Sequence, residues 1–91
     1  MLVAVKLALG ITIDDLDTDI LATISSARAE LIRAGVTEDK ANDDTDPLIS
    51  QAIKTYCKSI YTSDINKAEK FMDAFKYQQE CIRKSEEYKN V

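Results

Sequence analysis

The chain has 91 residues, of which 45% are hydrophobic and 31% are charged, and its formal net charge is −4. This length allows one domain with a modest core, and the composition is normal for a folded globular protein, which excludes wholesale disorder. Two glycines and one proline supply too few turns for a many-stranded sandwich or barrel, and they favour a few long helices.

Charge is divided unevenly along the chain. Residues 1–46 carry a net charge of −6, and residues 47–91 carry one of +2. Nonspecific affinity for DNA comes largely from basic side chains, so the acidic half is a poor match for a phosphate backbone. In the second half the lysines are interleaved with acids, which favours a solvated helical surface over a DNA-binding patch.

The first predicted element is residues 1–13, a stretch apolar enough to be mistaken for a targeting signal. It has no basic residues ahead of the apolar part, contains Lys6, and runs straight into Asp14 and Asp15. It is also shorter than the roughly 20 apolar residues that span a bilayer. We therefore expect a short first helix or an extended arm, buried in the fold or against a neighbour, and no membrane partner.

An acidic turn at residues 14–19 leads into the strongest helix pattern of the chain, which continues through Ala34. Its apolar stripe consists of Leu16, Ile20, Leu21, Ile24, Ala27, Leu31 and Ile32. Aspartates at the front of this helix and Arg28 and Arg33 toward its end complement the helix dipole. Gly35 follows as a natural C-terminal stop.

The acidic turn imitates the start of a calcium-binding EF-hand loop at Asp15, Asp17 and Asp19. With Asp15 as position 1, position 6 is Ile20 instead of glycine, and position 12 is Ser26 instead of a bidentate glutamate. Neither position has the residue that an EF-hand loop requires, so we interpret the aspartates as charges at the front of a helix and predict no metal site.

Residues 36–46 form a polar connection that is somewhat longer than the usual ~2–8 residues between bundle helices. It is either a mobile surface loop or a segment ordered by a partner. Asp46 then suits the cap of a third helix and Pro47 its first position, and this helix is predicted to run to about Tyr61. Its apolar face is predicted to contain Leu48, Ile49, Ala52, Ile53, Tyr56 and Ile60.

A break at residues 62–66 separates the third helix from a fourth. Asn66 followed by Glu69 has the form of a capping box. The apolar face of this helix is predicted to contain Ala68, Phe71, Met72, Phe75 and Ile82. Gln79 interrupts the stripe, and beyond Ile82 the pattern fades, so residues 83–91 are predicted to be a frayed tail or a segment that waits for a partner.

The chain carries no residues in an arrangement that indicates catalysis or a cofactor. Histidine is absent, which removes the usual general base at neutral pH and any Cys–His activation scheme. Cys57 and Cys81 make no zinc pattern, and a disulfide would require two helices to bring them together, so reduced thiols are the better interpretation. We therefore predict no enzymatic activity and no cofactor.

The most specific sequence motifs lie in the third and fourth predicted helices. It consists of Asp46, Pro47, Leu48, Ile49, Ala52, Ile53, Tyr56, Cys57 and Lys58, followed by Ala68, Glu69, Phe71 and Tyr77. On these residues the chain resembles the small head–tail connector, or head-completion adaptor, proteins of tailed phages and prophages. The resemblance covers most of the chain in order. It departs at residues 60–64, where relatives often carry an aromatic-glycine turn, and at the polar C-terminal end.

The predicted elements make a small all-α, four-helix bundle, with a short N-terminal helix and three longer ones in a single domain over residues 1–91, and the resemblance likewise implies a small, mainly α-helical protein. It implies assembly as a ring, typically of twelve copies, beneath the portal protein at the head–tail junction of the virion. Such a ring extends the DNA channel and docks head-closure (stopper) or tail-completion proteins, and it assembles in the bacterial host cytoplasm. Genomic DNA is expected to pass through without tight binding.

Three residues are the candidates for contact with other copies or with the portal: Tyr77, Arg83 and Tyr88. Tyrosine combines an apolar ring with a polar hydroxyl and often anchors interfaces. Two other functional classes stay open at this point. A small helical DNA-binding regulator would need a basic recognition helix, whereas residues 47–61 hold only Lys54 and Lys58. A generic helical interaction adaptor would be told apart by its failure to co-purify with a portal protein.

Overall fold

The computed structural model describes residues 1–85, and this part of the chain contains α-helices and no β-strand. The helices are α1 (Leu2–Leu9), α2 (Asp17–Arg33), α3 (Glu38–Ala41), α4 (Pro47–Tyr61) and α5 (Ile65–Lys84). The predicted all-α class is confirmed. The four-helix arrangement is not, because the connection at residues 36–46 contains the additional one-turn helix α3.

Helix α4 begins as predicted, with Asp46 as its N-cap and Pro47 in its first turn. The Asp46 Oδ1 atom accepts hydrogen bonds from the backbone amides of Leu48, at 2.9 Å, and Ile49, at 3.4 Å. Pro47 occupies the first helical turn, where its missing N–H costs no hydrogen bond. Asp46 and Pro47 together therefore fix the first residue of the helix.

The predicted capping box at Asn66 and Glu69 is wrong, because α5 begins earlier. Asp64 is the cap, and its Oδ1 atom accepts from the amides of Asn66 at 2.9 Å and Lys67 at 3.2 Å. A carboxylate two residues upstream thus satisfies the free amides of the first turn. Asn66 lies in the first turn of α5, where its backbone amide donates to the Asp64 carboxylate.

Gly35 ends α2 as predicted, with φ of 113°. The amide of Gly35 donates to Ile32 at 3.0 Å, and the amide of Val36 donates to Leu31, also at 3.0 Å. This is the Schellman pattern, which uses a left-handed residue just past the helix. Val36 is fully buried after the turn, so the chain reverses into the core instead of leaving it.

Helix α4 is the central element and packs against α1, α2 and α5. Tyr61 near its end shares a hollow with Phe71 of α5, and Leu48 near its start shares another with Ile82, so α5 runs antiparallel to it. The core is made of Val5, Ile20, Ile24, Ala27, Leu31, Val36, Ala41, Ile49, Ala52, Ile53, Cys57, Phe75 and Ile82.

Some residues of the predicted apolar stripes face solvent. Leu48 is 55% exposed and Ile60 is 51% exposed, although both were predicted on the apolar face of α4. They occupy the first and last turns of α4, where Ile49 and Ser59 beside them are buried. Leu21, predicted on the stripe of α2, is likewise 49% exposed.

The connection at residues 36–46 is ordered by the chain itself. The Arg28 guanidinium donates to the backbone oxygen of Ala41 at 2.9 Å and to the Asp44 carboxylate at 2.6 Å. The Thr37 hydroxyl oxygen caps α3 by accepting from the Lys40 amide at 3.3 Å. Because these bonds tie the segment to α2, no partner is needed to explain its order.

Gln79, which interrupts the apolar stripe of α5, has a specific partner. Its side-chain amide donates to the backbone oxygen of Glu30 at 2.9 Å, near the C-terminal end of α2. A half-buried amide is thereby satisfied, and the bond holds α5 against α2.

Candidate interaction surfaces

The acidic turn is neutralised in part by α1. The Lys6 ammonium lies 2.8 Å from a carboxylate oxygen of Asp14 and 2.8 Å from one of Asp17. The hydrogen bond from Lys6 lowers the pKa of Asp14. Asp15 and Asp19 make no ion pair with any residue in 1–85, so their charge faces solvent.

Neither a metal centre nor a membrane helix is found among residues 1–85. No group of three or more His, Cys, Asp or Glu side chains there is placed to hold an ion. Separately, no helix of that part is long and apolar enough to cross a bilayer.

The two cysteines are free thiols in different surroundings. Cys57 lies on the buried face of α4, and burial raises the pKa of its thiol to about 11. Cys81 is exposed on α5. Only Cys81 is therefore open to solution chemistry.

The sequence-predicted interface residues do not form one cluster. Tyr77 is 72% exposed on α5, while the Arg83 guanidinium holds Glu80 through contacts of 3.2 and 2.8 Å. Six helical positions separate Tyr77 from Arg83, which turns their side chains to different sides of α5. Tyr88 lies outside the described residues.

Two separate hollows border α4, one near each end of the helix. Leu48 and Gln51 near the start of α4 line one of them, and Lys58 near its end lines the other. At its end lies an upper hollow of about 430 Å³, and near its start lies a lower one of about 230 Å³. We call the two hollows together the α4 groove.

The upper hollow of the α4 groove combines apolar walls with basic side chains. It is lined by Ala8, Leu9, Ile11, Leu16, Lys58, Tyr61, Thr62, Lys67 and Phe71. The Lys58 ammonium lies 5.9 Å from the centroid of the Phe71 ring, a cation–π contact. No carboxylate residue lines this hollow, although exposed Asp15 immediately precedes Leu16 in its wall.

The lower hollow is almost wholly apolar. It is lined by Leu48, Gln51, Tyr77, Gln78, Cys81 and Ile82. The buried Gln78 Oε1 atom has no hydrogen-bond partner within residues 1–85. Exposed Leu48 and Tyr77 flank it, and exposed apolar side chains that converge on a depression are typical of an interaction surface.

The opposite side of the molecule presents the outer face of α2. Thr18, Ala22, Ser25 and Ala29 are exposed there and lie at intervals of three and four residues. Ala22 borders a shallow hollow that includes Ile60 of α4. Because Ile60 and Lys58 are two helical positions apart, the outer face of α2 and the α4 groove lie on different sides of α4.

Sequence reasoning identified Tyr77 but missed the groove around it. The groove depends on how α1 and α5 are placed beside α4, and no local pattern encodes that placement. The one available signal was the pairing of Lys54 and Lys58, the two basic residues of α4, four positions apart on one side of the helix.

A family model described as phage connector protein matches residues 1–89 of the chain. No curated protein and no solved structure matches it.

Proposed function

The chain belongs to the phage connector protein family, and from this premise we propose that it is a head–tail connector that forms a ring beneath the portal. Membership itself implies a component of the virion with a structural role and no enzymatic step. The single observation that carries the proposal is the match of the family model over residues 1–89. The ring, its partners and its stoichiometry are the parts we infer.

The ring would extend the DNA channel and dock a head-closure or tail-completion protein, with assembly in the host cytoplasm. Two features of the chain support a docking role. Large apolar side chains are exposed on several helices, including Val3, Leu7 and Tyr77. In addition, the α4 groove offers a depression without a covering helix in the described part of the chain.

The charge of the chain supports passage of DNA without capture. A channel through which DNA slides should not grip phosphates, because each basic contact adds affinity. The net charge of −4 opposes such contacts. We expect at most weak, salt-sensitive binding to duplex DNA, and submicromolar binding in a shift assay at physiological salt would favour the DNA-binding regulator instead.

The direct test is reconstitution with the portal of the same phage. We expect electron microscopy of the mixture to show a ring of density at the outer end of the portal. Tyr77→Asp should weaken docking if Tyr77 contacts the portal or a second copy, and Lys76→Gln, at an exposed position on a different face of α5, is the matched control. Bare portals at saturating protein concentration would overturn the connector proposal.

A further inference from the structure

The lower hollow lies close to the point where the described chain ends. Helix α5 ends at Lys84, and Ser85 adopts extended backbone angles, with φ of −77° and ψ of 131°. Ser85 follows Cys81 by four positions and Gln78 by seven, a spacing that places the three residues on one side of a helix. Cys81 and Gln78 are walls of the lower hollow, so the chain leaves α5 on the side of that hollow.

Residues 86–91 are long enough to turn back over the lower hollow. Each residue of an extended chain spans at most ~3.6 Å, so Tyr88, three positions beyond Ser85, lies within about 11 Å of it. A helix rises about 1.5 Å per residue, which puts Cys81 about 6 Å and Gln78 about 10 Å back from Ser85 along the axis of α5. Tyr88 is therefore within reach of the hollow of its own chain.

The lower hollow suits an aromatic ring with a polar tip. At its rim Leu48 and Tyr77 are exposed, and covering such apolar surface is favourable. Gln78 adds a polar group, because its buried Oε1 atom accepts no hydrogen bond within residues 1–85. The terminal torsion of a glutamine is broad, so this amide can turn toward a hydroxyl in the hollow, which both donates and accepts.

Among residues 86–91, the side chain that matches these walls is that of Tyr88. Glu86 and Glu87 are charged, and among residues 1–85 no basic side chain lines the lower hollow to compensate for their desolvation. Val91 is apolar, but its side chain is small for a hollow of about 230 Å³ and has no polar group for Gln78. Tyr88 supplies both a large ring and a hydroxyl.

The covalent connection favours the same chain over a second copy as the source of this tyrosine. A short flexible linker holds the group it carries at an effective concentration of the order of millimolar. A separate copy competes only at its own concentration in solution. Because only two residues separate Ser85 from Tyr88, the tethered tyrosine has the advantage in a dilute sample.

We propose that Tyr88 occupies the lower hollow of its own chain and covers Leu48 and Tyr77 there. This inference goes beyond the connector role and does not depend on it. It assigns the C-terminal residues a position in the free protein. A partner that uses Leu48 and Tyr77 as its contact must then displace Tyr88 first.

Cys81 is a natural probe of the proposal, because its thiol is part of the wall of the lower hollow. The rate at which it reacts with a disulfide reagent is measured on the full chain. We expect Tyr88→Ala to raise this rate at least about threefold, since the ring no longer shields the thiol. The substitution changes no charge, so the rise reports access to the thiol. Cys81 remains the faster thiol in either protein, because Cys57 is buried.

Asn90→Ala is the matched control, because it removes a small polar side chain from the same segment without changing charge. It should leave the rate of Cys81 as it is, and thermal unfolding checks that each variant is folded. Equal rates for the wild-type chain and Tyr88→Ala would overturn the inference. Protection that disappears on dilution of the wild-type chain would also overturn it, because a tyrosine from a second copy dissociates on dilution and a tethered one does not.

Nuclear magnetic resonance provides a second measurement that does not use the thiol. We expect nuclear Overhauser contacts between the Tyr88 ring and the methyl groups of Leu48 and Ile82 in the free chain. Tyr61 lines the upper hollow instead, so its ring is the internal control and should show no contact with Leu48. A Tyr88 ring without contacts to Leu48 and Ile82 would contradict the proposal. Both measurements need only the isolated chain, so their outcome is separate from whether a portal recruits it.

Discussion

Cys57 and Cys81 show how strongly the fold separates two identical side chains. Burial raises the pKa of Cys57 to about 11, whereas Cys81 lies on the surface. The thiolate is the reactive form, so we expect one thiol per chain to react quickly with a disulfide reagent near pH 8. The second should react only on unfolding, and Cys81→Ala should remove the fast phase. Two fast thiols would contradict the burial of Cys57.

The raised pKa of Cys57 also ties stability to alkaline pH. Between the ordinary value of 9.0 and about 11, the unfolded thiol has lost its proton while the folded one keeps it. The unfolded state then binds fewer protons, so stability falls as pH rises through this window. We expect Cys57→Ala to flatten the decline in urea-unfolding free energy by up to about 1.4 kcal/mol per pH unit. Cys81→Ala should leave the slope unchanged.

Asp46 carries a measurable share of the stability of α4. Asp46→Ala removes the acceptor for the amides of Leu48 and Ile49, and loss of an N-cap costs about 1 kcal/mol. Urea titration should show this loss through a lower midpoint at constant slope. Asp73→Ala, in the exposed part of α5, is the control and should change the midpoint little. Equal effects of the two substitutions would argue against the cap.

At the scale of elements, α3 depends on one side chain of α2. Arg28→Met removes the bonds to the Ala41 backbone and the Asp44 carboxylate. Hydrogen bonds to charged groups contribute about 1.5–3 kcal/mol each, so amide exchange at Ala41 and Asn42 should accelerate at least about tenfold. Amides in α4 should be unaffected. Arg33→Met is the control, because the Arg33 side chain is 76% exposed and, among residues 1–85, forms an ion pair only with Glu30.

The long helices were predictable because their signals are local. Asp46 and Pro47 define the start of α4, Gly35 ends α2, and residues spaced at three and four positions mark the buried stripes. Helix α3 was not predictable, because one turn carries no periodicity and its order comes from Arg28 in another helix. Asp64 was passed over as a cap because Asn66 offered an equally good local pattern.

The candidate surface was less predictable than the fold. Lys58 and Phe71 lie in different helices, and their contact exists only because α5 folds back along α4. Leu48 looked like a core residue from its spacing, yet its position in the first turn leaves it exposed. Patterns within one helix identify which face is apolar, but the ends of that face are decided by where the neighbouring helices stop.

At the scale of the whole molecule, exposed carboxylates link stability to acid pH. Hydrogen bonds from Lys6, Thr45 and Arg83 lower the pKa values of Asp14, Asp43 and Glu80, respectively. The unfolded state therefore binds protons first as pH falls, so stability decreases through the acidic titration range. We expect thermal unfolding to shift downward below about pH 4, the ordinary range of these groups. Lys6→Met should reduce the shift, and an unchanged profile would contradict the pairing.

The packing of α1 mainly on α4 has a consequence during synthesis. Helix α1 leaves the ribosome before the others, yet eight residues are too few for a lasting helix in water. Its docking site on α4 exists only once the chain has been translated past Tyr61, a delay of seconds at ordinary elongation rates. Throughout that delay Val5 and its apolar neighbours are exposed to solvent on the nascent chain, where a chaperone bound at the ribosome would meet them first.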